Sequence, residues 1–206
     1  MLLLLVTSNF ALAALAEGEP FAVVGEQLDH PSPLGWKLAW MSGEAEGSYV
    51  AEYVPATEEI NSWREGYLAI ERLKYPPAEK LDKRKTMIAD VLAFGYGKNA
   101  KEKCGGRHFP MVQRADTFNG TYLAVGGGFC DSYGPAAPFG EGAIFAFAEG
   151  KEFLFRIQYG WRPKSAQEQR TNIPWRIDPE TARRYIEAIK TTALCNGPAQ
   201  PLCRGK

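Results

Sequence analysis

Histidine is almost missing from this chain: His30 and His108 are the only two. No CxxC or HExxH spacing accompanies them, so neither a dedicated zinc site nor a haem site is expected, and no metal or cofactor is assigned. A GxSxG elbow is absent too, and any Ser-His-Asp triad would have to use one of those two histidines. A charge excess of either sign is also lacking, with 24 Lys+Arg against 24 Asp+Glu. Phosphate backbones are bound through a basic excess, so nucleic acid is excluded as the main partner. Long apolar runs are scarce. The uncharged stretch Met1 to Ala16 would reach only about 24 Å as a helix, short of a hydrocarbon core of roughly 30 Å. No transmembrane span is expected in the mature chain.

What is present is the profile of a folded domain: 206 residues, 45% apolar and 12% aromatic. A chain of this size buries roughly 70% of its unfolded surface, enough for a core without a metal or a partner. That length and composition predict a single domain over residues 17–206.

Residues 1–16 read as a secretory signal peptide. Leu2-Leu3-Leu4-Leu5-Val6 and Phe10 to Ala16 flank Thr7-Ser8-Asn9, and Ala14-Leu15-Ala16 is an A-x-A site followed by Glu17-Gly18-Glu19-Pro20. The basic residue that usually precedes such a run is missing. The four cysteines agree with export, being even in number. Three pairings are possible on paper. The economical one joins Cys104 to Cys130 and Cys195 to Cys203, the latter closing a short loop bent by Gly197, Pro198 and Pro201. The expected location is secreted or periplasmic.

Along the chain, Glu17 to Pro33 looks like an irregular leader. Trp36 to Met41 and Tyr49 to Val54 flank Gly43 to Gly47 as a hairpin. Thr57 to Glu65 suggests a helical turn or two, and Tyr67 to Leu73 a strand. Pro76-Pro77 opens a helix with Leu81, Ile88, Val91 and Leu92 as its apolar stripe, closed by Gly95 and Gly97. Met111 to Phe118 and Thr121 to Val125 flank Asn119-Gly120, a type I′ hairpin signal. Ala143 to Ala148 and Phe153 to Trp161 form a further strand pair. A second helix begins at Asp178-Pro179-Glu180, buries Ala182, Ile186, Ile189 and Ala193, and stops at Asn196-Gly197-Pro198. Strands in hairpins with two separate helices predict an α+β fold, an antiparallel sheet with both main helices packed on one face.

Several constellations carry chemical meaning. Cys104-Gly105-Gly106-Arg107-His108 brings a thiol, a cation and a base together, as a thiol nucleophile would need. In an exported chain the same residues read more simply as half of a disulfide beside a loop histidine. Gly126-Gly127-Gly128 follows a strand but no helix follows to hold a phosphate, so a bulged strand end is expected. Glu44, Glu46, Glu58 and Glu59 read as solvated turn charges, although carboxylate pairs of the glycosidase type meet only in three dimensions. Asn119-Gly120-Thr121 is formally a glycosylation sequon that its hairpin turn already explains.

The most suggestive surface is aromatic and basic: Tyr159, Trp161, Arg162, Trp175 and Arg176. Trp, Tyr and Arg are the residues that dominate binding hot spots. The resulting expectation is an exported, non-enzymatic binding or accessory protein of the cell envelope, acting on a protein partner. Two alternatives stay open: a glycan- or lipid-binding module, and a small hydrolase using carboxylates or Cys104 with His108.

Overall fold

A computed structural model describes residues 20–75, 87–171 and 173–196. The signal-peptide segment, the Pro76-Pro77 helix start with Leu81, the Gly197-Pro198 stop and Cys203 lie outside the described residues.

The chain runs β1 (Glu26–Asp29), β2 (Trp36–Gly43), β3 (Tyr49–Pro55), β4 (Tyr67–Lys74), α1 (Ile88–Lys103), β5 (His108–Pro110), β6 (Arg114–Phe118) and β7 (Thr121–Cys130). It continues with β8 (Glu141–Glu149), β9 (Phe153–Trp161), α2 (Ala166–Gln169), α3 (Pro179–Lys190) and β10 (Ala193–Asn196). An eight-stranded sheet has the order β2-β3-β4-β9-β8-β7-β5, with β6 pairing β7 beside β5. Every pairing in it is antiparallel. The expected α+β class with a hairpin-built antiparallel sheet is therefore what forms.

Strict alternation explains the sheet. Phe155, Ile157, Tyr159 and Trp161 of β9 enter the larger core, with Leu68 and Ile70 of β4 and Ile144 and Ala146 of β8. The intervening residues Phe145 and Phe147 face the other side, where Ala89 and Ala93 of α1 meet them. Because Tyr185 and Ile189 of α3 belong to the first core and α1 to the second, the two main helices cover opposite faces, not one. Adjacent residues i and i+1 of one strand feed opposite cores, which is how a sheet with few helices buries both sides.

The turn chemistry acts as its residues require. Asn119 (φ 50°) and Gly120 (φ 74°) are both left-handed, as a type I′ turn demands. The Asn119 side-chain nitrogen donates to the carbonyls of Lys190 (3.0 Å) and Thr192 (3.3 Å), so the sequon's acceptor atom is engaged in the fold. Asp178 caps α3, its carboxylate accepting the Thr181 N–H at 2.8 Å with Pro179 at the first helical position.

Several boundaries differ from the sequence expectation. Gly95 and Gly97 do not stop α1, which runs on to Lys103 with Cys104 as its cap. A Cβ on Gly97 would reach only the rim of the Phe145 ring at 4.0 Å, so glycine here sits where the helix lies close to the sheet. The buried face of α1 is made of alanines, and Val91 points outward. The α3 helix ends before Ala193, which pairs in β10, and Tyr185 takes the buried place expected of Ile186. β10 pairs with β1, so the leader is partly a strand. Residues Thr57 to Glu65 form turns with no helix, held by the Glu58 carboxylate accepting the Arg64 and Glu65 N–H groups. The strand expected over Met111 to Phe118 begins only at Arg114, as β6, and a separate short strand, β5, precedes it. Gly126 to Gly128 are not a bulged end, because they lie inside the unbroken β7–β8 register. One register shift does occur in the sheet, between Leu38 and Trp40 of β2.

Candidate functional site

β9 ends at Trp161, and the chain then folds across the end of the sheet. Tyr159 (0% exposed) and Trp161 (4%) are core residues. The Tyr159 hydroxyl is hydrogen-bonded to His30 Nε2 at 2.7 Å, and its ring stacks on Tyr185 with centroids 4.3 Å apart. His30 also meets the Thr192 hydroxyl at 2.9 Å, which gives both ring nitrogens a partner inside the core. Trp161 donates its indole N–H to the carbonyl of Trp175 at 2.9 Å. These two aromatics therefore act on the surface through what they hold in place.

Trp175 and Arg176 are held in an unusual conformation. Consecutive and neither of them glycine, they adopt φ 51° and φ 59° in the turn Pro174–Arg176. The left-handed region costs such residues of order 1–3 kcal/mol each, and local hydrogen bonds offset that cost. Arg176 Nε donates to the carbonyl of Gln169 at 2.6 Å and Nη1 to that of Ile173 at 3.1 Å. Trp175 Nε1 donates to the carbonyl of Pro110 at 3.4 Å. The guanidinium of Arg176 lies 5.1 Å from the Phe109 ring centroid, and that of Arg107 lies 5.3 Å from the same ring. Arg107 is itself anchored to Asp131 by an ion pair at 3.2 Å. Exposed Ile173, Pro174 and Pro110 border this group. The result is a rigid surface of aromatic and guanidinium groups with apolar edges.

Arg162 faces a different side. It pairs with Glu141 at 2.8 Å and lies 3.7 Å over the Trp63 ring, which stacks on Tyr67 with centroids 5.2 Å apart. Burial pushes the Glu141 carboxyl above the usual carboxylate range, against the pull of Arg162. The neighbouring Arg156 pairs with Glu71, whose carboxyl is likewise raised by burial. Of the five aromatic and basic residues singled out in the sequence, Trp161, Trp175 and Arg176 thus form one unit. Tyr159 lies beneath α3, and Arg162 belongs to the Glu141 pair.

A cavity of about 150 Å³ opens between the C-terminal half of α1 and the sheet. Gly128, paired with Ala143, forms part of its lining, together with Tyr96, Lys103, His108 and Glu141. Burial, aided by Lys101, lowers the proton affinity of His108. A larger groove of about 610 Å³ lies on the other face, between Pro31 to Trp36 and Arg184 and Tyr185 of α3.

Cys104 and Cys130 are joined by a disulfide, their Cα atoms 5.6 Å apart. The bridge ties the end of α1 to the end of β7 and consumes the thiol that a Cys104–His108 nucleophile would require. Cys195 is disulfide-bonded as well. Among the described residues no three His, Cys, Asp or Glu side chains gather as metal ligands would, and no helix is long and apolar enough to cross a membrane. Sequence reasoning missed Arg107 and Phe109 as surface residues. The only signal was an Arg-x-Phe pair in an apparent thiol motif, and the register that sets it against Arg176 is non-local.

No family model matches the sequence, and no curated protein matches it significantly. Solved structures do match. Cyanobacterial PsbP (CyanoP) from Synechocystis sp. PCC 6803 superposes with a TM-score of 0.50 at 9% identity, over 88% of this chain and 99% of that one. The chain shares the PsbP fold. LpqN, involved in cell envelope biogenesis of Mycobacterium tuberculosis, superposes with a TM-score of 0.41 at 13% identity, over 84% of each chain. At such identities the likeness to PsbP is one of fold alone.

Proposed function

We propose that this chain is an exported, non-enzymatic accessory protein of the cell envelope that binds a protein partner through the surface around Trp175 and Arg176. The observation that carries the reading is the adjacent pair of non-glycine residues held at positive φ. Strain of this kind persists only where surrounding bonds over-determine it, and it concentrates at binding and catalytic sites. Here it fixes a tryptophan and an arginine, the side chains most enriched in interface hot spots, before any partner arrives. Trp161 supports that surface from beneath, through its indole hydrogen bond to the Trp175 carbonyl.

Further support comes from the cysteines, since a disulfide between a helix end and a strand end suits an oxidising compartment. Chemistry at the carboxylates is disfavoured by the pairing of Glu141 and Glu71, each with its own arginine.

The test is crosslinking of the tagged chain in the envelope of its own cells, identification of the captured protein, and titration of that protein purified. Trp175→Ala and Arg176→Ala are expected to weaken binding by roughly 2 kcal/mol or more each, with unchanged circular dichroism. Binding by both variants at the affinity of the unaltered chain would overturn the assignment.

A further inference from the structure

The outer face of α1 carries a second, separate surface. Met87 caps this helix, and Val91, Phe94, Lys98 and Lys101 follow at spacings of four, three, four and three residues. That spacing places all five on one line along the helix. The line lies opposite Ala89 and Ala93, which face the sheet. Its apolar members are exposed: Met87 by 39%, Val91 by 57% and Phe94 by 69%. Val112, 80% exposed, lies in the loop that Gln113 fastens to the helix by donating to the carbonyl of Asp90 at 3.3 Å.

The apolar line continues into cations. Lys98 and Lys101 lie on it and Lys103 follows, against Asp90 and Glu102 on the same helix. Among the described residues Lys98 has Glu102 near it along the helix, at 3.8 Å.

We propose that this ridge docks on the surface of an anionic lipid membrane, with Val91 and Phe94 entering the headgroup region and the lysines meeting lipid phosphates. The apolar residues stand on the outer face of a helix and on the loop fastened beside it. A deformable lipid interface accepts such a ridge, whereas a folded protein would need a groove shaped to it. Cations continuing the apolar line add attraction to an anionic leaflet. The helix would lie on the membrane without spanning it. This surface is distinct from the Trp175–Arg176 surface, which is built on the loop after β9.

The experiment is co-sedimentation of the folded protein with vesicles of phosphatidylglycerol and phosphatidylethanolamine, beside vesicles of phosphatidylcholine alone and soluble polyglutamate. Binding is expected to the anionic vesicles only, and to weaken as salt is raised. Lys98→Gln with Lys101→Gln should reduce partitioning about thirtyfold, and Val91→Ser with Phe94→Ser at least roughly tenfold. These exposed substitutions leave the fold intact, which circular dichroism checks. Absence of vesicle binding would overturn the proposal. So would equal binding by the Ser variant, or a preference for polyglutamate, which would indicate an acidic protein. Either result leaves the Trp175 titration unaffected, so the two readings fail separately.

Discussion

Arg72 and Glu26 are locked together through the backbone. The Arg72 guanidinium, wholly buried on β4, donates to the carbonyl of Glu26 at 3.0 Å. The Glu26 carboxylate in turn accepts the N–H groups of Lys151 (2.7 Å), Glu152 (2.9 Å) and Phe153 (3.0 Å) at the β8–β9 turn. Arg72 also reaches the carbonyls of Val24, Gly47 and Ala45 and lies 4.5 Å over the Phe153 ring. One buried cation and one buried anion thus organise the leader, the β2–β3 turn and the β8–β9 turn.

Replacing Arg72 should therefore cost far more than a surface charge. Arg72→Met is expected to lower stability by about 3–5 kcal/mol, because the carbonyls it satisfies stay buried. Arg72→Lys should rescue little, since one ammonium cannot span the carbonyls of both the leader and the β2–β3 turn. Urea unfolding monitored by tryptophan fluorescence checks both.

At Glu26 the expected effect is smaller and local. Glu26→Gln keeps one acceptor oxygen and turns its NH₂ towards backbone donors, at a cost of about 1–3 kcal/mol. Hydrogen exchange should speed up at Lys151, Glu152 and Phe153 before it does elsewhere.

Removing the Cys104–Cys130 bridge as Cys104→Ser with Cys130→Ser should cost about 3.5 kcal/mol on loop entropy. The last turn of α1 should then exchange fastest. In protein made with its own N-terminus, intact mass should show loss of residues 1–16 and no alkylation before reduction. A freely alkylated Cys104 in the native chain would contradict the bridge.

Glu141 gives a pH dependence with a definite sign. Its folded pKa is raised by burial, so the fold takes up a proton that the unfolded chain releases. Its contribution is fully present below the unfolded value, about 4.3, and is lost as pH rises through the raised folded value. Glu141→Gln mimics the protonated state and removes this dependence. The unaltered chain should thus gain stability relative to the variant as pH falls through that window, measured by denaturant midpoints.

A methyl group at Gly142 would strike the Trp161 ring, with a Cβ only 2.2 Å from Cε2. Gly142→Ala should displace the ring, break its hydrogen bond to Trp175 and cost about 1–3 kcal/mol or more. Partner binding should weaken in parallel with Trp175→Ala.

The legible parts of the fold were those written in adjacent residues. β9 runs from Phe153 to Trp161 as its alternation implies, and Asn119-Gly120 and Asp178-Pro179 set a turn and a cap by local geometry. The sequence misled where a small residue did the packing. Ala89 and Ala93 seat α1 on the sheet, while Val91, expected in the apolar stripe, faces outward together with Phe94. The alternation of β9 also implies the burial of Tyr159 and Trp161, but not their partners His30 and Trp175, which arrive from distant segments. The pairing of β1 with β10 is non-local in the same way.

The margins of the sheet have a consequence for self-association. On one side β2 carries its register shift between Leu38 and Trp40, and on the other β7 is covered by two short strands, one ending in Pro110. A bulged edge and a split edge containing proline offer no long row of free backbone groups for another strand to copy. Edge-to-edge pairing through these two margins is thereby disfavoured, which slows amyloid-like growth from the folded state.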